Sequence, residues 1–239
     1  MKFLKHFFNL LLIICFISTA SSQGFTDAAD YGFSPDATGI KNVRSLQKAL
    51  DQGGNIIVSQ PGVYKVAGTS YIGSNTSIEF AKGVILQKVD EKGLFSHVLL
   101  NKGALTRTWD EHIAVKGLHV SVNGVVKRYN EVFGLRGQLA FFYVKDLRIE
   151  GFRCYDIEGV QFSIHVCTFE DLLIDDTILE GDKDGIHLGR GNRFRISNAT
   201  FKTLDDALAL NAHDYANSNP EVGWIENGVI ENCNDLSLE

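Results

Sequence analysis

The stretch Gly181–Asp214, "GDKDGIHLGRGNRFRISNATFKTLDDALALNAHD", holds two acidic knots, Asp182-Lys183-Asp184 and Asp205-Asp206, each followed by a short alternating apolar run. Taken singly, each knot reads as a turn at the start of a strand, since Asp hydrogen-bonds to nearby backbone and tolerates tight turns. Taken together they raise a second reading, in which the fold gathers Asp184, Asp205 and Asp206 into one carboxylate cluster.

What surrounds the stretch bears on that choice. A six-residue pattern returns along the chain, apolar at both ends and with Gly, Asp or Asn third. It reads "VKGLHV" from Val115, "VKDLRI" from Val144, "FEDLLI" from Phe169, "ISNATF" from Ile196 and "IENGVI" from Ile225, in steps of 29, 25, 27 and 29 residues. Recurrence at this period marks stacked repeats that bury their apolar faces only against one another. Alternation within each hexapeptide argues for strands, and the third position for a bend. A second column, "EGVQF" from Glu158, "DGIHL" from Asp184, "DALAL" from Asp206 and "NDLSL" from Asn234, runs in phase with the first. The expected fold is all-β, a right-handed parallel β-helix (solenoid) of about five or more coils.

Chain length and composition fit one such domain. The 239 residues suffice for a single well-buried core, and all-β folds of this size often stay undivided. Residues 1–22, "MKFLKHFFNLLLIICFISTASS", place Lys2 and Lys5 ahead of a short apolar run ending in small residues, the layout of a secretory signal peptide. The expected location is therefore secreted or periplasmic, with no membrane association after signal cleavage. Once Lys2 and Lys5 are removed, 21 basic residues face 29 acidic ones, a net charge of −8 that argues against nucleic-acid binding. Cys154, Cys167 and Cys233 remain, without the spacing of a zinc site or the density of a disulfide scaffold, and read as small core residues. One helix is expected, in "NVRSLQKALDQGG", with Asn42 as its cap and Val43, Leu46, Gln47 and Leu50 on one face before Gly53 and Gly54.

On these motifs the sequence resembles the pectin lyase-like β-helix superfamily, and within it glycoside hydrolase family 28, the polygalacturonases. In such proteins a short helix covers the open end of the solenoid. The resemblance implies an amino-terminal cap over about residues 23–66 and coils over about 67–239. The family's Asn-Thr-Asp-Gly and Gly-Asp-Asp motifs correspond to "DKDG", Asp182 to Gly185, and "LDDA", Leu204 to Ala207. Asp182, Lys183 and Leu204 depart from the family residues, and Asn234 and Asp235 stand where the family carries His-Gly. No counterpart of the family's Arg-x-Lys clamp is present before Glu239, where the text breaks off within a strand-like run, so a truncated chain is expected. The resemblance implies an inverting hydrolase with Asp205 as general acid and Asp184 and Asp206 activating water.

Glycoside hydrolysis needs one protonated and one ionised carboxyl. Neighbouring coils stack at about 4.8 Å, which would make Asp184 and Asp206 near neighbours across 22 residues of sequence. Carboxylates so close cannot all ionise normally. Around them, Arg190, Arg193, His187, His213 and Asn234 are candidate substrate contacts, with Arg190, Arg193 and Arg195 suited to the carboxylates of an acidic sugar chain. Tyr215 and Trp224 are candidate sugar-stacking residues. The expected activity is polysaccharide hydrolysis, on pectin-type uronate chains in its narrower form, by a monomer without metal or cofactor. Two alternatives stay open: a lyase or epimerase on the same fold, for which Ca²⁺ is the expected cation, and a non-catalytic carbohydrate-binding or remnant solenoid.

Overall fold

The computed structural model describes residues 24–127, 132–213 and 219–237. The signal-like segment and Tyr215 lie outside them. After β1 (Thr26–Asp27) and helix α1 (Gly39–Leu50), strands follow one another around successive coils. The first coil is β2 (Gly54–Val58), β3 (Gly62–Val66) and β4 (Ser70–Ile72); the second is β5 (Thr76–Phe80), β6 (Val84–Lys88) and β7 (Leu99–Asn101). The third is β8 (Asp110–Lys116), β9 (His119–Ser121) and the first half of β10 (Gly137–Glu150). The rest of β10, β11 (Arg153–Ile157) and the first half of β12 (Phe162–Asp175) make the fourth. The rest of β12, β13 (Ile178–Gly181) and β14 (Ile186–Leu188) make the fifth, and β15 (Gly191–Ser197), β16 (Thr200–Thr203) and β17 (Leu208–Leu210) the sixth. A seventh begins with β18 (Ile225–Glu231) and β19 (Asn234–Asp235).

Every pairing recorded between these strands is parallel and joins a strand to its counterpart in an adjacent coil. The strands form a 12-stranded and a 7-stranded sheet, and the larger one turns a corner through β10 and β12. This is the parallel β-helix expected from the repeat. The first coil begins at Gly54, inside the stretch of about 23–66 that the sequence assigns to the cap.

Register shows what the hexapeptides were. Ile56, Ile78, Val115, Ile149, Ile174 and Ile196 stand above one another and are all buried. Each such aliphatic side chain contributes about 1.5–3 kcal/mol on burial. Val144, Phe169 and Ile225 occupy a different level, five residues earlier in the strand, opposite Asp110 and Gly191. The sequence pattern therefore mixed two columns with the same local grammar, and the true steps from Asp110 through Val144, Phe169 and Gly191 to Ile225 are 34, 25, 22 and 34 residues. Both columns carry left-handed backbone: Asn75, His112, Asp146, Asp171, Arg193 and Asn227 in one, and Gly117, Gly151, Asp176, Asn198 and Asn232 in the other, with φ between 49° and 70°. Gly, Asn and Asp tolerate this region best, which is why they recur at the third position.

Helix α1 is capped differently from the sequence reading. Its N-cap is Thr38, whose hydroxyl accepts from Lys41 N, while the Glu91 carboxylate accepts from Gly39 N at 2.8 Å and Ile40 N at 2.9 Å. Asn42 lies within the helix and is fully buried, because its amide ties the cap to the first coil: it accepts from Ser34 N and donates to Ser34 O and Lys65 O. Gln47 faces the edge of β4, taking Tyr71 N–H at 2.7 Å and donating to Tyr71 O at 2.9 Å, so its amide substitutes for a neighbouring strand. All three cysteines are free, and Cys154 and Cys167 are buried, with burial pushing the Cys154 thiol up to about 12. Replacing Asn42 by Ala is expected to cost about 1–3 kcal/mol through its buried unmet partners, read as a lower urea midpoint, whereas the exposed neighbour Lys41→Ala leaves the midpoint unchanged.

Candidate acid cluster at the corner of the solenoid

The corner leading into β14 and β17 sets the geometry. Ile186 pairs with Leu208, and at the corner itself Gly185 N donates to Asp206 O at 2.9 Å and Ile186 N to Ala207 O at 3.1 Å. Close stacking needs Gly185, since a Cβ there would lie 2.7 Å from both Ala207 O and the Phe201 ring. Asp184 and Asp206 thus occupy the same place in successive coils. One oxygen each from Asp184, Asp205 and Asp206 lies within 4.8 Å of the others. This is shorter than the roughly 6.5–9.5 Å that seats a water between two carboxyls, so a water reaching the cluster approaches from its open side.

The three acids differ in surroundings. Asp184 is buried, and its Oδ2 lies 2.9 Å from Nδ1 of the buried His187. His187 is in turn stacked on Phe162 at 4.5 Å and set edge-on to His165 at 4.7 Å. His165 takes a hydrogen bond on Nδ1 from Arg136 N, and burial pushes its imidazole well below 6.5, so it is neutral. Asp205 is exposed and ion-paired with Lys183. Asp206 is also exposed, yet partial desolvation, then the charges of Asp184 and Asp205, hold its carboxyl above the ordinary 3.8. Arg136, Phe162, Lys183 and Asn211 complete the lining of a cleft of about 240 Å³.

Of the residues singled out from sequence, Asp184, Asp205, Asp206 and His187 come together here. The others do not. Arg193 sits in a left-handed column on another face, where it forms two bonds to Asp171, the residue one coil above, and one to Glu170. Arg195 pairs with Glu231 on that same strand face. Arg190 follows β14 instead of preceding it, ~20 Å of extended chain from Asp184, and pairs with Glu221 at 3.4 Å. Asn234 stacks on Thr200 in the other sheet, because its coil enters that sheet 34 residues after β16, so it is not the rung beneath Asp206. His213 is edge-on to Trp224 at 4.9 Å, in the segment beyond β17. Glu158 misses the acid column as well: register puts Phe162 over Asp184, with Ser163 N donating to Asp184 O.

Sequence reasoning missed Arg136, Phe162 and Asn211 as lining residues. Phe162 was within reach, since it stands 22 residues before Asp184, the same step that separates Asp184 from Asp206.

No protein-family description matches the sequence, and no curated protein matches it. Among solved structures the chain is similar to a candidate glycosyl hydrolase from Parabacteroides merdae, at 16% identity and a TM-score of 0.66, covering 89% of this chain and 96% of that one. It is also similar to PfbA, a Streptococcus pneumoniae surface protein and adhesin, at 16% identity and a TM-score of 0.63, covering 88% of this chain and 61% of that one. The family 28 exopolygalacturonase of Yersinia enterocolitica is matched at 13% identity and a TM-score of 0.61, over 88% of this chain and 48% of that one. Ladder and likeness agree: the chain has the parallel β-helix fold of the pectin lyase-like proteins.

Proposed function

We propose that the protein is an extracellular glycoside hydrolase that cleaves polysaccharide at the Asp184, Asp205, Asp206 cluster. The observation that carries this reading is the asymmetry among three crowded carboxyls. Asp206, raised by desolvation and by its neighbours, holds a proton; Asp184, oriented by His187, accepts one. In the reaction Asp206 donates its proton to the glycosidic oxygen as the bond to the anomeric carbon breaks. Asp184 takes a proton from the water that adds to that carbon. Asp205, held by Lys183, supplies negative charge beside the developing oxocarbenium ion. This differs from the roles implied by the family resemblance, which put the acid at Asp205, because Lys183 sits on Asp205 and not on Asp206.

Phe162 offers an apolar wall to a sugar ring, and Arg136 and Lys183 supply the positive charge that a uronate chain would meet. The arginines after β14 do not support the uronate reading, as each is engaged by a carboxylate elsewhere. Likeness to a surface adhesin supports an extracellular setting and also a second reading, saccharide binding without hydrolysis.

Asp206→Asn is expected to lower reducing-end release from the cleaved polysaccharide by ~10²-fold or more with an unchanged melting temperature; full activity in that variant would overturn the reading. Binding without product in the wild-type chain would favour the adhesin-like alternative, and an unsaturated product absorbing in the ultraviolet the lyase. A second prediction concerns pH. Activity requires protonated Asp206 and falls as pH rises through its elevated pKa. The Lys183 charge lowers that pKa, so Lys183→Met is expected to move the alkaline limb of the kcat/KM profile to higher pH. A limb that stays in place would remove Asp206 from the acid role.

A further inference from the structure

A second cleft, of about 440 Å³, opens at the opposite end of β14, where the chain turns toward β15. It falls within the ~300–1,000 Å³ range of small-ligand sites. Two indoles line it: Trp109, 44% exposed, and Trp224, 73% exposed. Thr168, Glu170, Arg190, Asn192 and Glu226 add polar groups between them. Large aromatic residues left in solvent beside hydrogen-bonding groups suit a ligand that is itself two-natured, with apolar faces and polar edges. A pyranose has this character, presenting C–H faces to an indole and hydroxyls to amide and carboxylate oxygens.

The cleft is held open by its own framework. Glu221 accepts from Tyr143 Oη at 2.6 Å, Thr168 Oγ1 at 2.8 Å and Arg190 Nη1 at 3.4 Å, and its carbonyl takes the Cys167 thiol at 3.3 Å. This fixes the segment leading to Trp224, whose carbonyl accepts from Gly191 N at 3.0 Å, while Gly223 N donates to Ala212 O at 2.9 Å. Trp109 is braced edge-on against Tyr143 at 5.3 Å.

Charge narrows the ligand. Every cation at the cleft already shares a carboxylate: Arg190 with Glu221, and Lys145, whose Nζ lies 4.9 Å from the Trp109 ring centre, with Glu170. Glu226 has no ion pair among the described residues. A polyuronate would meet an unshared carboxylate and no free cation. We propose that this cleft is a second saccharide site, remote from the acid cluster, that binds a neutral glycan chain by stacking on Trp109 and Trp224.

The proposal does not depend on hydrolysis and is read by a separate signal, because Trp109 and Trp224 are the two tryptophans of the whole chain. Intrinsic fluorescence titrated with cellohexaose, xylohexaose, mannohexaose and hexagalacturonate therefore reports on this cleft. At least one neutral hexasaccharide is expected to change the emission, and calorimetry is expected to show Trp109→Ala and Trp224→Ala each weakening it ~10-fold. Asp206→Asn leaves that binding unchanged, which separates this site from the acid cluster. Circular dichroism melts confirm that the exposed substitutions keep the fold. Absence of neutral binding up to ~10 mM, equal affinity in both Trp variants, or preference for hexagalacturonate at this cleft would each overturn the proposal.

Discussion

The structure depends on parallel register at one corner. Gly185 N–H donates to Asp206 O, and through that bond 22 residues of sequence become a single step between coils. A parallel ladder places equivalent residues above one another, so a side chain useful once becomes a column. Apolar positions become the continuous isoleucine and valine stack, and turn positions become rows of left-handed Asn, Asp and Gly. At this corner the same rule stacks acids. Like charges in adjacent coils are unfavourable, and the surroundings show how the molecule accommodates them: His187 beneath Phe162 holds Asp184, Lys183 neutralises Asp205, and Asp206 is pushed toward the protonated state.

Elsewhere the same problem is met with a different answer. On the face formed by β8, β10, β12 and β15, Asp146 and Asp171 also stack across coils, and each is relieved by a cation: His112 and Arg148 at Asp146, Arg193 at Asp171. There the charges are spent on one another in open solvent, where such pairs contribute little to stability. The corner cluster is the place where three acids share one cation and a buried imidazole. That contrast distinguishes a poised site from an ordinary charged ladder.

Much of the fold was legible because a solenoid repeats its grammar. Alternating apolar runs and Gly, Asn or Asp at the bends sufficed for parallel coils, and the 22-residue step correctly paired Asp184 with Asp206. Exact register was not legible, since Val115 and Val144 satisfy the same hexapeptide five residues out of phase; only the three-dimensional ladder separates such columns. Coil lengths from 22 to 37 residues compounded this, as insertions at the corners shift the count without shifting the strands. Asn234 and Glu158 were misplaced for that reason. Arg193 was misread because its partner, Asp171, is distant in sequence and adjacent only through the coil. Asn42 was misassigned as a cap because a buried amide that joins helix to coil looks locally like an N-cap. Arg136 left no sequence signal, since it reaches the cleft from a corner two coils above.

The central claim is that stacking makes Asp206 the carboxyl that retains a proton. Side-chain ¹³C NMR across a pH titration measures this directly. The Asp206 carboxyl is expected to titrate above 3.8 and to move down when the charge at Asp184 or Asp205 is removed by substitution with Asn. A carboxyl titrating at or below that value, and indifferent to both substitutions, would contradict the account.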